Sequence, residues 1–310
     1  MVHHSVHERH QADSWITYRC KEVAALQAPT AYTQPEEYLA LLLEYLADPM
    51  DNSFLLTAVR DHDGAVVALK SKGRVYPVIH NVPCTIPDLG KGRGGRQALW
   101  HELQDAAWRD YQGGDAGVFS AEEDPMGRGV GQIMSQTGAG LFLDVGCGPL
   151  PLPGYMTSSG GGISWIGIDP FFGGAARQYA FAQALSEYLP FRRQVFDGVL
   201  YAGVIDHVIN PLRSLQGARS VIKPKGKLYI WYNRRGVDVR YVVWKIMRGL
   251  GFAWRYNRNH QWAFTHGSLR VLLKSTGFAA EEVIPLCEHY CPDYLSCPEP
   301  DEFLVVASCR

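Results

Sequence analysis

Two carboxylates and a glycine-rich turn near the middle of the chain are the residues best placed to do chemistry. An apolar run ends in Asp144, and Gly146, Cys147 and Gly148 follow closely. A second apolar run ends in Asp169, 21 residues after Gly148. This spacing predicts a buried strand, a tight turn that lets a ligand approach the bare backbone, and a second strand that presents an acid to a ribose. The sequence therefore predicts a site for an adenosine-bearing cofactor.

The residues after this turn distinguish between two kinds of cofactor. Pro149 and Pro151 follow Gly148. Proline has no N–H to donate, and Pro151 stands where a dinucleotide-binding turn has its third glycine. A pyrophosphate would therefore be poorly held at the following helix N-terminus. S-adenosylmethionine has no phosphate and is cationic, which suits the carboxylate of Asp144, so the pattern favours S-adenosylmethionine.

The second half of the chain, 137–310, resembles the class I S-adenosylmethionine-dependent methyltransferases. Segment 141–148 is similar to the first motif of that family, and 166–169 to its second-strand acid. Segment 186–191 is similar to the stretch that flanks the adenine, and 196–211 to the fourth strand and its loop. The segments occur in the order that the family has.

This resemblance implies both a fold and a set of cofactor contacts. The fold is α/β, a doubly wound, mostly parallel seven-stranded sheet of the Rossmann-like methyltransferase kind, with a small N-terminal α+β domain. The resemblance adds four residues to the predicted cofactor site. The whole set is Asp144, Gly146, Cys147, Gly148, Asp169, Pro170, Ser186, Glu187 and Gly203.

Changes in composition along the chain predict its domain boundaries. We expect a flexible N-terminal segment at 1–30, a small α+β domain at 31–95 and the methyltransferase domain at 96–310. A glycine-rich basic linker marks the boundary near residue 95. A basic helical insertion is predicted at about 233–260.

The small N-terminal domain carries Leu-Ala-Asp-Pro at 46–49, Gly-Arg-Val-Tyr-Pro-Val at 73–78 and Val-Pro at 82–83. In this order of segments it resembles the Trm112-like zinc ribbons. In that family two cysteine pairs hold zinc, and here the matching positions are Asp48, Asp51, Leu69 and Lys72. Leucine and lysine are not zinc ligands in a closed site, so the resemblance implies the shape without the metal, and we predict no metal site. The expected role is structural, or to wall the acceptor pocket. An unrelated α+β cap is the alternative.

Three places could supply a base or a binding surface for the methyl acceptor. Asp206 and His207 follow the fourth strand, where open α/β sheets bind ligands, and histidine suits a general base. His260 lies in an aromatic segment and is the second candidate base. The insertion at 233–260 carries seven Lys and Arg against one acid, which is typical of either a lid for an anionic acceptor or an ordinary solvated helix. For the two histidines the alternatives are loop orientation and aromatic packing.

Composition excludes some functions and leaves others open. The net charge of −1 gives no overall attraction to nucleic acid, and no apolar run is long enough to span a bilayer. Seven scattered cysteines fit a reducing, cytoplasmic setting better than a disulfide framework, and Cys287, Cys291 and Cys297 match no common zinc spacing.

The predicted function is methyl transfer from S-adenosylmethionine to a small molecule, anionic or lipid-like. An RNA base methyltransferase and a non-catalytic S-adenosylmethionine-binding partner are the alternatives. The expected partner is the small-molecule acceptor and not a nucleic acid. Peripheral membrane contact and the oligomeric state stay open.

Overall fold

The computed structural model describes residues 33–87, 124–171, 176–234, 261–290 and 301–310. Several sequence predictions concern residues outside this part of the chain. They are the N-terminal segment, the linker and domain boundary near residue 95, His260, nearly all of the basic insertion, Cys291 and Cys297. No helix in the described part is long and apolar enough to cross a membrane.

A small α+β module opens the described chain. Its elements are α1 (Glu36–Tyr45), β1 (Ala47–Asp48), β2 (Asp51–Leu55), β3 (Thr57–Arg60), β4 (Val66–Ser71), β5 (Arg74–Ile79) and β6 (Val82–Pro83). β1 pairs with β2, and β3 to β6 form an antiparallel sheet in chain order. The sequence predicts one strand over 54–60, but it divides at Leu56, which is buried and donates its N–H to the Leu46 carbonyl.

The predicted doubly wound sheet is confirmed. Its strands are β7 (Gly140–Val145), β8 (Ile163–Asp169), β9 (Ala180–Gln183), β10 (Phe196–Ala202), β11 (Ile222–Asn233), β12 (Phe278–Pro285) and β13 (Glu302–Cys309). They lie in the order β12-β13-β11-β10-β7-β8-β9. β13 runs antiparallel to β12 and β11, and all the other neighbouring pairs are parallel. The chain order reverses between β7 and β10, and ligands bind at the carboxyl edge of such a switch point.

Helices cover both faces of this sheet. They are α2 (Pro125–Ser135), α3 (Gly154–Ser158), α4 (Pro211–Val221), α5 (His266–Ser275) and α6 (Leu286–Tyr290), with a 3₁₀ turn at Ser186–Tyr188. One buried cluster holds Leu143 with α4 and α5, and the other holds Phe142 with α2 and α3. Consecutive residues of β7 therefore pack on opposite faces of the sheet. Because both faces are buried, the sequence of the strand is apolar without alternation.

Helix α2 forms in a glycine-rich segment whose sequence does not predict a helix. Asp124 caps its N-terminus by accepting the Gly127 N–H, and Pro125 occupies the first turn. A Cβ at Gly129 would lie 2.4 Å from the Tyr290 ring, and one at Gly131 would lie 2.1 Å from the Ser158 hydroxyl. These glycines let α2 pack closely on α3 and α6, and packing overrides their poor helix propensity.

The N-terminal module closes the free edge of β9. The Phe181 N–H donates to the Gln34 side chain at 2.8 Å, and the Gln183 carbonyl accepts from the Thr85 N–H at 2.8 Å. The Asn52 side chain donates to the Leu189 and Phe191 carbonyls at 2.6 and 2.9 Å. Without these bonds the backbone groups at this edge of the sheet would be unpaired.

We expect Gln34→Ala to destabilise the protein by about 1–3 kcal/mol, because the buried Phe181 N–H would lose its acceptor. Gln132→Ala, on the exposed face of α2, is the matched control and should change stability by less than about 0.5 kcal/mol. Urea denaturation measures both. Equal midpoints for the two variants would mean that the module does not support β9.

Candidate functional site

The turn after β7 exposes bare backbone on one side. Gly146 and Gly148 have φ values of 75° and 64°, which favour glycine. A Cβ at Gly146 would lie 2.4 Å from the Val204 side chain, so there is no room for one. A Cβ at Gly148 would meet nothing within 4 Å. The Gly148 backbone therefore faces open space that a ligand can enter.

Asp169, at the end of β8, holds this turn in place. Its carboxylate accepts the Gly148 N–H at 2.9 Å and the Phe171 N–H at 2.7 Å. Burial raises the pKa of Asp169 to about 6, although both N–H bonds and the charge of Arg177 lower it. The acid that orients the turn is therefore Asp169, and its predicted contact with a ribose stays a prediction.

Asp144 lies beneath the same turn and is fully buried. The Tyr155 hydroxyl donates to its Oδ2 at 2.7 Å, whereas its Oδ1 has no hydrogen-bond partner among the described residues. Burial raises the pKa of Asp144 to about 7, and the nearby charge of Asp169 adds to this effect. An unpaired buried carboxylate oxygen is costly, and a polar or cationic ligand would relieve that cost.

The prolines displace the next helix from the turn. After Pro149 and Pro151 the chain stays irregular, and α3 begins only at Gly154. A helix N-terminus directly at the turn is what holds a pyrophosphate. The displacement agrees with a cofactor that has no phosphate.

The loop after β10 lies against the same turn. Gly203 has a φ of 65° with open space beside it, and Val204 contacts Gly146. His207 follows, and its Nε2 lies 3.7 Å from Asp206 Oδ1. The Asp206 carbonyl accepts the N–H groups of Gln261 and Trp262. The segment that ends the basic insertion is thereby joined to the loop of the predicted base.

The polar groups of the predicted adenine-flanking segment contact protein rather than open space. Glu187 is buried, and its carboxylate accepts the Asn210 N–H at 2.9 Å and the Ser186 hydroxyl at 3.0 Å. The Pro170 carbonyl accepts from the Gln183 side chain at 2.8 Å. These residues shape the walls near the site, and their direct contact with a cofactor stays a prediction.

Sequence reasoning missed several residues around the site. Tyr155 and Arg177 reach the turn from α3 and from the β8–β9 connection. His266 begins α5, where its Nδ1 bonds to the Tyr232 hydroxyl, and its ring lies 4.5 Å from that of Phe303. Burial lowers the pKa of His266. No short motif marks Tyr155 or Arg177 in the sequence. For His266 the signal is its position directly after Thr265, which caps the helix.

The cysteines differ from one another in state. Cys84, Cys147 and Cys309 are free thiols, and burial raises the pKa of Cys147, so it is a poor nucleophile. Cys287 is disulfide-bonded. This contradicts the expectation, drawn from the scattered spacing alone, that the cysteines stay reduced.

Comparison with known proteins agrees with this geometry. Residues 133–283 match the family model described as a methyltransferase domain. The chain therefore contains a methyltransferase domain. This match agrees with the methyl donor that the turn predicts, S-adenosylmethionine. No curated protein sequence matches the chain.

Solved structures share the fold at low sequence identity. A 1,6-didemethyltoxoflavin-N1-methyltransferase of Burkholderia thailandensis is 12% identical, with a TM-score of 0.52 over 77% of this chain and 96% of that chain. A chain from the complex of the Haloferax volcanii Trm112 methyltransferase activator is 15% identical, with a TM-score of 0.45 over 70% and 98%. Only the first is similar enough to support the fold.

The residues around the turn fit S-adenosylmethionine. Open space lies beside Gly148 and Gly203, and the free Oδ1 of Asp144 lies beneath the turn. Two buried carboxylates against the one buried guanidinium of Arg177 favour a cationic ligand. Asp169 lies at the strand end where the family presents an acid to the ribose.

We expect Gly148→Ala to weaken S-adenosylmethionine binding at least about tenfold, because the new methyl group would fill the space beside the turn. Gly64→Ala is the matched control, since Gly64 also has a positive φ with open space but lies in an exposed hairpin turn. Both variants carry a similar backbone strain of about 1–2 kcal/mol. Calorimetric titration checks the prediction, and equal losses of affinity in both variants would contradict it.

Proposed function

We propose that the enzyme methylates a small, partly apolar, anionic acceptor at the carboxyl edge of β10 and β11. The observation that carries this proposal is the junction of the His207 loop with Trp262. The Trp262 indole N–H donates to the Val208 carbonyl at 2.8 Å, and its backbone N–H donates to Asp206. An aromatic side chain thus lies beside the loop that contacts the glycine turn.

Aromatic and cationic groups line the neighbouring end of β11. Tyr232, His266 and Phe303 pack edge to face or tilted, and the Arg234 guanidinium lies 5.1 Å from the Phe303 ring. Arg234 pairs with Asp301 at the surface. The strongly basic sequence of 235–260 follows directly. This combination suits an acceptor with an apolar body and a negative charge.

The chemistry needs little from the protein beyond orientation and proton transfer. S-adenosylmethionine supplies an electrophilic methyl group when bound. The turn and the carboxylates of Asp144 and Asp169 orient a cationic ligand in one direction. His207, beside Asp206, accepts the proton of the acceptor and leaves a nucleophile in line with the methyl group.

The neighbour from Burkholderia thailandensis acts on a small heteroaromatic molecule, by its name. This supports a small acceptor here, because a shared fold permits a similar pocket. It does not decide between oxygen, nitrogen, carbon and sulfur as the methylated atom.

We also propose that the N-terminal module is a Trm112-like domain in which polar contacts replace zinc. Asp48 is buried, and its carboxylate accepts from Arg74 at 2.9 Å and from Tyr76 at 3.1 Å. Lys72 lies 3.8 Å from the Asp51 carboxylate. Burial alone would raise the pKa of Asp48, but the N–H of Met50 and the two side chains lower it. Three of the four positions matched to zinc ligands thus carry charges paired within the protein.

A transfer assay with labelled methyl groups tests the small-molecule proposal. We expect turnover with aromatic or acyl carboxylates and none with tRNA or rRNA fragments at physiological salt. Methylation of RNA, with no small acid accepted, would establish the nucleic-acid alternative instead. Stabilisation by S-adenosylmethionine without transfer to any acceptor would favour a binding partner over an enzyme.

We expect His207→Asn to lower kcat about 10²–10⁴-fold with little change in S-adenosylhomocysteine affinity, as for removal of a general base. His266→Asn is the matched comparison, since this histidine lies at the end of β11 and bonds to Tyr232. His62→Asn, in an exposed hairpin turn, controls for unspecific effects. Loss of turnover in the His266 variant alone would transfer the role of the base to His266.

A further inference from the structure

Arg177 is a buried cation outside every motif of the cofactor site. It lies in the short connection between β8 and β9 and is only 3% exposed. Its Nη2 donates to the Gly148 carbonyl at 2.8 Å, and its guanidinium lies 3.6 Å from the centre of the Phe181 ring. A buried guanidinium is expensive unless charges and hydrogen bonds compensate it, so this position needs a physical reason.

Gly148 is held from both sides by opposite charges. Its N–H donates to the Asp169 carboxylate, and its carbonyl accepts from Arg177. Charge-assisted hydrogen bonds of this kind are roughly twice as strong as neutral ones. The glycine whose open side faces the ligand space therefore has both of its backbone polar groups fixed.

We propose that Arg177 is a positioning residue that sets cofactor affinity by clamping Gly148 opposite Asp169. The inference rests on the proposed cofactor site and adds a residue that no motif contains. Arg177 acts through the turn and through the Asp169 carboxylate, and we assign it no contact with the reacting atoms.

Other titratable groups lie around the pair of acids, Asp144 and Asp169. Asp144 lies on β7, Cys147 in the turn, Tyr155 on α3, and Tyr179 beside Arg177 in the connection. Burial raises the pKa values of Cys147, Tyr155 and Tyr179, so these three groups stay neutral near pH 7. Among the described residues, the charge of Arg177 therefore lowers the pKa of Asp169 near neutral pH, and the charge of Asp169 raises that of Asp144.

The sign of the pH effect follows from these groups. A cationic cofactor prefers the carboxylates ionised, so its affinity should fall as the pH drops through about 7 and 6, the pKa values of Asp144 and Asp169. Arg177 lowers the pKa of Asp169. Its removal should raise that pKa and move the loss of binding to higher pH.

The test is calorimetric titration of S-adenosylmethionine from pH 5.5 to 8.5 into wild type, Arg177→Met and Arg177→Lys. The Met variant should bind about tenfold or more weakly at pH 7.5 and lose affinity at a midpoint about one pH unit higher. The Lys variant keeps the charge but not the planar donor geometry, so it should bind more weakly at nearly the wild-type midpoint.

Arg60→Met is the matched control, since Arg60 also donates to a glycine carbonyl, that of Gly64, at 2.7 Å in an exposed turn. It should match wild type at every pH. Wild-type affinity in both Arg177 variants, or weaker binding of Arg177→Met with an unchanged midpoint, would overturn the positioning role. If Arg177→Met does not fold, the affinity of Arg177→Lys is the test. Weaker binding than wild type supports the positioning role, and wild-type affinity overturns it. A wild-type protein that binds no S-adenosylmethionine would refute the cofactor site itself.

Discussion

The geometry of the site depends on buried charge around a single residue of the turn, Gly148. Asp169 and Arg177 bind the N–H and the carbonyl of Gly148, and both side chains are almost fully buried. Each charge would be costly alone in this position. Because both bind Gly148, the strand end of β8, the turn after β7 and the connection to β9 are locked to one another.

Asp144 makes the site favour a cationic ligand. Its Oδ1 is unpaired in the described part of the chain, and its pKa is raised to about 7 by burial. Without a ligand, burial therefore disfavours the ionised carboxylate of Asp144, and a cationic ligand beside it stabilises that charge. The unpaired carboxylate oxygen of Asp144 lowers the stability of the folded protein and is available to a ligand. Perturbed buried groups of this kind are common at functional sites.

The N-terminal module and the sheet depend on each other in a comparable way. The edge strand β9 is only four residues long, and module residues complete its hydrogen bonds. Leu42 and Leu46 of the module belong to the same buried cluster as Phe191 and Ile168. The module thus supports the side of the sheet on which Asp169 and Arg177 lie, and its influence on the cofactor site needs no direct contact.

Local sequence determined the strands, the glycine turn, the two acids and the choice of cofactor. An apolar run ending in an acid and glycines has few alternative structures, and Pro149 and Pro151 exclude a phosphate-binding helix start by their missing N–H groups. Only the tertiary structure decided the rest. The helix α2 forms because its glycines let it pack closely against Tyr290 and Ser158. Arg177 and Tyr155 reach Gly148 and Asp144 from other elements, and the Tyr232–His266 pair joins β11 to α5. Such contacts depend on packing between elements far apart in sequence, and no local spacing encodes them.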